Sequence, residues 1–420
     1  MKRFRGYPEC RDSGVEWLGE IPAHWEVRRL KDHVEVNALV LPDDTDSDYR
    51  FDYVDIGSVE VGRLSSAVKA IRFGSSPSRA RRVVRPGDTL VSTVRTYLKA
   101  VWTPTLFERD LIASTGFAVL TPNSDSVADY LGYFCQSDPF TDAVSAESVG
   151  IAYPAIAEAM LGFVPICVPP LPEQRAIADF LDDQTSLIDR LVRKNERLID
   201  LLNEKRASLI SHAVTRGLDP DVPMRDSGVE WLGEIPVHWE VVRLKTLSDM
   251  KSGESVTAAS VEASGPYPVY GGNGLRGYTG HFTHEGEHLL IGRQGALCGN
   301  VHLVRGRFWA SEHAVVVSLC RSDDVRWLGA ILLAMDLNQH SIAAAQPGLA
   351  IDRVRELLIP IPSLPEQRAI ADFLDRETGQ IDALVTTISD AIKRLREYRS
   401  SVISAAVTGR IDVRDPSPPL

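Results

Sequence analysis

Much that marks an enzyme, a membrane protein or a secreted protein is missing from these 420 residues. The longest apolar runs, such as residues 314–320, fall far short of the roughly 20 residues that a bilayer-spanning helix needs. The opening MKRFRGYPEC is basic but carries no apolar stretch of the signal-peptide kind, so a cytoplasmic protein without a membrane segment is expected. Cysteine is scarce: five residues, scattered and without a C-x-x-C pair, exclude a disulfide framework or zinc ribbon and point to reduced, mostly buried thiols. There is no G-x-x-x-x-G-K-[ST] phosphate loop, so nucleotide hydrolysis by that route is excluded. No paired carboxylates, Ser/His/Asp set or Cys/His pair stands out either, and no catalytic residue is expected.

Two weak signals do not fill those gaps. Gly272 to Gly277 satisfies G-x-G-x-x-G but runs on into Tyr278-Thr279-Gly280 instead of a helix, so no dinucleotide site is expected. His281, His284 and His288 sit in HFTHEGEHLL, where the glycine and polar residues favour a turn between strands over a metal site.

Positive charge is also short. With 46 Lys and Arg against 57 Asp and Glu the net charge is -11, which argues against nucleic-acid binding by bulk electrostatics. The average hides a patch. Residues 69–99 hold eight basic residues against Asp88, whereas residues 32–60 hold nine acids and only Arg50. The first half of the chain therefore reads as strongly polarised.

What the chain has in abundance is repetition. RDSGVEWLGEIPAHWEVRRLK at 11–31 returns as RDSGVEWLGEIPVHWEVVRLK at 225–245 with 19 of 21 positions identical. LPEQRAIADFLDDQTSLIDRLV at 171–192 returns as LPEQRAIADFLDRETGQIDALV at 364–385 with 17 of 22 identical. The offsets are 214 and 193, so the segment between the phrases is 21 residues longer in the first copy. The two intervening segments show no evident alignment with each other. A solenoid would stack several similar units of 20 to 50 residues; here one scaffold carries two different surfaces. The identity of Glu16-Trp17 and His24-Trp25 with Glu230-Trp231 and His238-Trp239 marks these residues as scaffold.

Both intervening segments read as mixed α/β. In the first, strands are expected over 49–56, 89–94 and 116–120 and helices over 126–135 and 141–148. In the second, strands are expected over 288–292, 300–304 and 313–319 and a helix near 325–337. Each ends in a proline-punctuated extended stretch that enters a helix with Pro172 or Pro365 in its first turn, where the missing N–H has no partner to lose.

From there about 40 residues run on in a 4-3 apolar spacing, a rod of about 60 Å. The expected seam is Ile177, Leu181, Gln184, Ile188, Leu191, Asn195, Leu198, Leu202, Lys205, Leu209 and His212 in the first helix. In the second it is Ile370, Leu374, Glu377, Ile381, Leu384, Ile388, Ala391, Leu395, Tyr398, Val402 and Ala405. Two separate core helices are the plainer possibility; an antiparallel coiled-coil pair is favoured because polar seam residues in one copy match apolar ones in the other.

At these residues the chain resembles the specificity subunit of bacterial type I restriction-modification systems. The DSGVEWLGEIPxHW phrase, the LPEQRAIADFLD helix start and the EKRASLISHAVTRGLDP ending at 204–220 carry the resemblance. YVDIGSVE at 53–60, GDTLVSTVR at 87–95, YGGNG at 270–274 and IGRQGALCGN at 291–300 resemble phrases within the family's target recognition domains.

The resemblance implies two mixed α/β target recognition domains separated by two long antiparallel coiled-coil helices. The implied divisions are an N-terminal repeat segment 1–23, a first recognition domain 24–170, a spacer helix 171–213, a linker with repeat 214–237, a second recognition domain 238–363, a second spacer helix 364–407 and a tail 408–420. It implies a non-catalytic protein in which each domain reads half of a split double-stranded DNA target and the helices act as a ruler. Its expected partners are two adenine-N6 methyltransferase subunits and, through them, motor-nuclease subunits. S-adenosylmethionine, ATP and Mg are expected on those partners and no cofactor on this chain, which has no [DN]-P-P-[YFW] tetrapeptide.

Major-groove reading uses Arg or Lys on guanine and Asn or Gln on adenine. The candidates are Arg79, Arg81, Arg82, Arg85, Arg95 and Lys99 with Tyr97 in the first domain, and Asn273, Arg276, Tyr278, Arg293, Gln294 and Arg307 in the second. A solvated surface residue or a phosphate contact is an equal expectation for each, since half or more of protein–DNA hydrogen bonds go to the backbone. The alternative from another class is a duplicated adaptor whose two variable segments bind proteins.

Overall fold

The computed structural model describes residues 4–295, 298–341 and 348–414. Residues 1–3 of the N-terminal segment, Ala296 and Leu297 of the 291–300 phrase, residues 342–347 and residues 415–420 of the tail lie outside the described residues. The chain forms two compact units, Met1–Asn195 with Asp390–Leu420, and Glu196–Ser389.

The doubled phrases turn out to be one clamp built twice. In the first unit the hairpin Cys10–Asp12 and Glu20–Pro22 leads to Trp25, which is fully buried. Its indole N–H donates to Glu173 at 3.0 Å, and His24 Nε2 sits 2.8 Å from the same carboxylate. Tyr7 donates its hydroxyl to Glu173 at 2.6 Å. In the second unit Trp239 and His238 hold Glu366 at 3.2 and 2.7 Å.

The glutamine that follows does a different job. Gln174 Oε1 accepts the backbone N–H of Val127, and Gln367 Oε1 accepts that of Asp324, each at the start of its domain's first long helix, Ala128–Gln136 and Val325–Ala334. The Glu-Gln pair thus ties a constant helix to a variable domain.

The two long helices are Leu171–Arg216 and Leu364–Val407. In the first unit Ile177 and Leu181 share a core with Val402, Ile403 and Val407, and Asp189 pairs with Arg399 at 3.2 Å. As numbers fall along one helix they rise along the other, so the two run antiparallel. The second unit repeats this, with Arg206 to Asp382 at 3.6 Å and Ile210, Ala213 and Val214 in one core with Ile370, Ala371 and Leu374. Each helix ends on a left-handed glycine, Gly217 or Gly409, and a side chain at either would press on the clamp, Trp239 at 3.2 Å or Pro22 at 2.2 Å.

The burial pattern corrects the expected seam. Ile177, Leu181, Gln184, Ile188, Asn195, Leu202 and Leu209 are at least partly covered, but Leu191, Leu198, Lys205 and His212 are exposed, and there the covered position is displaced by one residue. Thr185, Val192, Ile199, Arg206 and Ala213 are covered, while Leu191 and Leu198 are 42% and 43% exposed. In the second helix Val385 and Ile392 replace Leu384 and Ala391, and Leu384 is 52% exposed. Adjacent apolar pairs such as Leu191-Val192 and Leu198-Ile199 satisfy a 3.5-residue period equally well. The packing partner decides between them: Thr185 Oγ1, for example, lies 3.0 Å from the hydroxyl of Tyr133, which itself donates to Asp182.

The variable domains share one topology. In the first, the sheet order is Val101–Trp102, Thr89–Ser92, Phe117–Pro122, Val34–Val36. In the second it is Val301–Ala310, His284–Gly292, Ala314–Leu319, Ser248–Ser252. All these pairings are antiparallel. The first domain adds a separate sheet, Lys69–Arg72, Arg50–Val54, Leu111–Ser114 and Ala80–Val84; the second extends its main sheet with Tyr267–Gly271 and Gly274–Thr279. A closing strand, Pro165–Val168 or Leu358–Ile361, pairs with the repeated phrase at Glu26–Arg29 or Glu240–Arg243.

The remaining sequence signals find structural places. The Gly272–Gly277 string is the tip of a hairpin whose two-residue turn is Gly272-Asn273. His284 stacks on Phe308, and His288 Nδ1 lies 3.0 Å from Ser318 Oγ. All five cysteines are free, with Cys135, Cys167 and Cys298 buried and Cys10 and Cys320 exposed. Among the described residues no helix is long and apolar enough to cross a membrane.

Candidate nucleic-acid interface

Each domain's central strand runs out into a loop at the same place, and a returning segment binds that loop. In the first domain Thr93 N–H donates to Gly116 O at 2.8 Å, Ile156 N–H donates to Thr93 O at 2.9 Å, and Val94 bridges Ala155. In the second, Arg293 N–H donates to His313 O at 2.9 Å, Leu349 N–H donates to Arg293 O at 3.0 Å, and Gln294 bridges Gly348. Thr93 therefore corresponds to Arg293, Val94 to Gln294 and Ile156 to Leu349.

This correspondence exposes an alignment that the sequence reading missed. Residues 148–157, SVGIAYPAIA, match residues 341–350, SIAAAQPGLA, at the same offset of 193 as the second repeated phrase. Small residues, a proline and conservative apolar exchanges make the match faint, which is why the two domains read as unrelated throughout.

In the first domain the candidates separate. Arg79 is exposed, and its carbonyl accepts Thr115 N–H beside Gly116, so it lies at the loop end of the sheet. Arg95 is exposed in a left-handed backbone, donates its N–H to Pro154 O at 2.7 Å and lays its guanidinium 4.9 Å over the ring of Tyr153. Tyr97 is 57% exposed on the same loop. Arg85 is exposed but precedes the strand Thr89–Ser92, at the opposite end from Arg95.

The others have partners within the fold. Arg81 pairs with Asp43 at 3.3 Å and covers Phe73. Arg82 is mostly buried against Glu158. Lys99 pairs with Asp138 at 3.1 Å and Asp142 at 2.8 Å; burial opposes its charge, but the two carboxylates raise its pKa above the usual lysine value.

The polarised sequence is thus partly neutralised in space, at four of the eight basic residues. The acidic run packs along the basic one: strand Arg50–Val54 pairs with Lys69–Arg72, Asp48 reaches Arg72 at 3.3 Å, and Val40 bridges Arg82. Within residues 69–99, Arg72, Arg81, Arg82 and Lys99 are each paired with a carboxylate, while Lys69, Arg79, Arg85 and Arg95 are exposed.

In the second domain Asn273, Arg293 and Gln294 come together. Asn300 donates its side-chain amide to Asn273 Oδ1 at 2.9 Å, and Gly272 lies so close to Gly292 and Gln294 O that a side chain there would meet them at 3.6 and 3.7 Å. Gln294 is exposed; Arg293 donates to Ser252 Oγ at 2.9 Å. Arg276 is exposed on the adjoining strand, and Tyr278 is half-buried farther along it.

Arg307 stands apart. It pairs with Glu285 at 3.1 Å, six residues along the strand pair from the Ile291–Val301 rung, about 20 Å at 3.4 Å per residue. Residues outside the candidate list also line the loop ends: Asn300 in the second domain, and Val149, Ile151 and Tyr153 in the first.

A family model described as "Type I restriction modification DNA specificity domain" matches this chain twice, over residues 22–199 and 236–394. The specificity subunit of the type I restriction enzyme EcoprrI from Escherichia coli is 45% identical over 153 residues, 35% of this chain and 37% of that protein. A putative type I restriction enzyme MjaX specificity subunit from Methanocaldococcus jannaschii is 25% identical over 435 aligned positions, 94% of this chain and 96% of that one. A solved chain from work on complex assembly and conformational transition of the type I R-M system superposes with a TM-score of 0.69 at 22% identity, covering 92% of this chain and 98% of that one.

Proposed function

Because the chain belongs to the type I restriction-modification DNA specificity family, whose role is recognition and not catalysis, we propose that its two recognition domains each read one half of an asymmetric, split DNA target. The observation that carries this reading is the pair of loop ends. One topology brings Val94 and Arg95 in the first domain and Gln294 and Gly295 in the second to equivalent places, where the exposed polar side chain is Arg95 in one and Gln294 in the other, so the two loop ends offer different groups to a base edge. Different surfaces on a doubled scaffold give a target whose halves differ.

The antiparallel helices set the gap between the half-sites and, with the repeated phrases, dock two adenine-N6 methyltransferase subunits. Motor-nuclease subunits join through that complex. S-adenosylmethionine, ATP and Mg belong to those partners. The net charge of -11 fits this division of labour, since partner surfaces supply much of the positive field around DNA.

Genome-wide mapping of adenine-N6 methylation tests the reading, in a host that expresses this chain with its methyltransferase partner and in the same host without this chain. A single split motif that disappears with the chain is the expected result. No chain-dependent motif, with the partner present and bound, would refute it.

A further inference from the structure

The first recognition domain leaves an apolar tip in solvent where its fold gives no reason for one. Ile151 is fully exposed, Val149 is 81% and Tyr153 66% exposed, and Tyr97 and Leu98 stand out from the loop bound to them. This is a built finger. Val149 and Ala155 exchange backbone hydrogen bonds at 2.9 and 3.0 Å and close its base, and Gly150 takes a positive φ of 117° that the bend requires. Arg95 N–H to Pro154 O at 2.7 Å and Thr96 Oγ1 to Ser148 Oγ at 2.8 Å fasten it to the loop that leaves the central strand.

We infer that the 148–155 finger is a specificity element of the first half-site, and that Ile151 reads the 5-methyl group of a thymine in the major groove. The inference rests on the DNA-recognition reading above. An aliphatic tip has no donor or acceptor to offer. Among the features of the major-groove edge, the thymine methyl is the apolar one it can select.

The charges around the finger suit DNA. Arg95, stacked on Tyr153, has no carboxylate partner among the described residues, and Arg79 lies at the same end of the sheet. Of the neighbouring carboxylates, Glu158 is engaged by Arg82, and Asp138 and Asp142 by Lys99, while Glu147, just before the base of the finger, is exposed and offsets one of the two arginines. A flat protein partner would demand no cation at this tip; a phosphate backbone would.

The test uses the methyltransferase complex assembled on its mapped target duplex, with the thymines of the first half-site replaced one at a time by deoxyuridine. For the unaltered chain one replacement should weaken binding about fourfold, the worth of one methyl-sized group withdrawn from water. The complex with Ile151→Ala should bind the thymine and deoxyuridine duplexes equally, and both variants should respond alike to changes in the second half-site. Because Ile151 touches solvent, the substitution should leave thermal unfolding unchanged.

If the duplex is bound but every deoxyuridine is silent, or the first half-site holds no thymine on either strand, the finger inference falls while the DNA reading stands. Loss of methyltransferase association with Ile151→Ala also overturns it, in favour of protein docking. Absence of any target-dependent binding would instead remove the reading on which it rests.

Discussion

The indole of Trp25 donates to Glu173 across 3.0 Å, joining the first repeated phrase to the second, and Trp239 repeats the bond to Glu366 at 3.2 Å. Two stretches of sequence far apart in the chain are duplicated together because they are the two halves of one contact. The duplication preserves the Tyr/His/Trp-to-Glu clamp only in part: Tyr7 completes it in the first unit, Ser363 in the second.

Removing that indole should be costly. Trp25→Ala and Trp239→Ala each vacate a fully or nearly fully buried site and should destabilise the protein by about 3–5 kcal/mol. Urea unfolding of the two variants checks this; a change under 1 kcal/mol in either would mean the clamp is not a core element.

Acid should loosen the second unit through Glu366. Burial opposes ionisation, but hydrogen bonds from His238, Ser363 and Trp239 prevail and bring its pKa from the ordinary 4.5 down to about 2. With the folded value the lower, this stabilisation is complete above pH 4.5 and is lost as pH falls toward about 2. Melting temperature followed across that window should fall, and Glu366→Gln should flatten the part of the fall that this carboxylate causes.

The helix seam separates neighbours. Val192→Gln places a polar group at a position 5% exposed and should cost about 1–3 kcal/mol, whereas Leu191→Gln, at a position 42% exposed, should stay within about 0.5 kcal/mol. Equal effects in thermal unfolding would count against the register described here.

The basic residues should divide by role. Arg79→Ala, at an exposed side chain with no ion partner among the described residues, should weaken binding of the assembled complex to all duplexes alike and reduce the slope of log K against log salt by about one. Lys99→Ala breaks the contacts with Asp138 and Asp142 and should lower stability while leaving that slope unchanged. Titrations at several salt concentrations, beside melting curves, distinguish the two.

Legibility in the sequence varied with how local the determining physics is. The two helices were plain from the first-turn prolines at 172 and 365 and from the apolar spacing behind them. Their seam was right except at Leu191, Leu198, Lys205 and His212 in the first helix and Leu384 and Ala391 in the second, because pairs such as Leu191-Val192 and Leu384-Val385 offer equal hydrophobicity and only the packed neighbour breaks the tie. The loop-end grouping of Asn273, Arg293 and Gln294 was within reach of motif reading; the separation of Arg307 was not, since distance along a strand pair depends on register.

The basic run of 69–99 shows the limit most clearly. Charge adjacency in sequence is partly lost when the acid-bearing loop at 43–48 folds against it and, with Glu158, takes up Arg81, Arg72 and Arg82. What the chain alone determined is its plan: a duplicated scaffold, two long amphipathic helices and two variable domains of the specificity family, all written in local periodicity and repeated words. Only the tertiary structure decided that the variable domains share one topology, which arginines remain free, and that an apolar finger stands beside Arg95. Each of these depends on strand pairing and ion pairing between residues distant in sequence, and linear order does not encode those meetings.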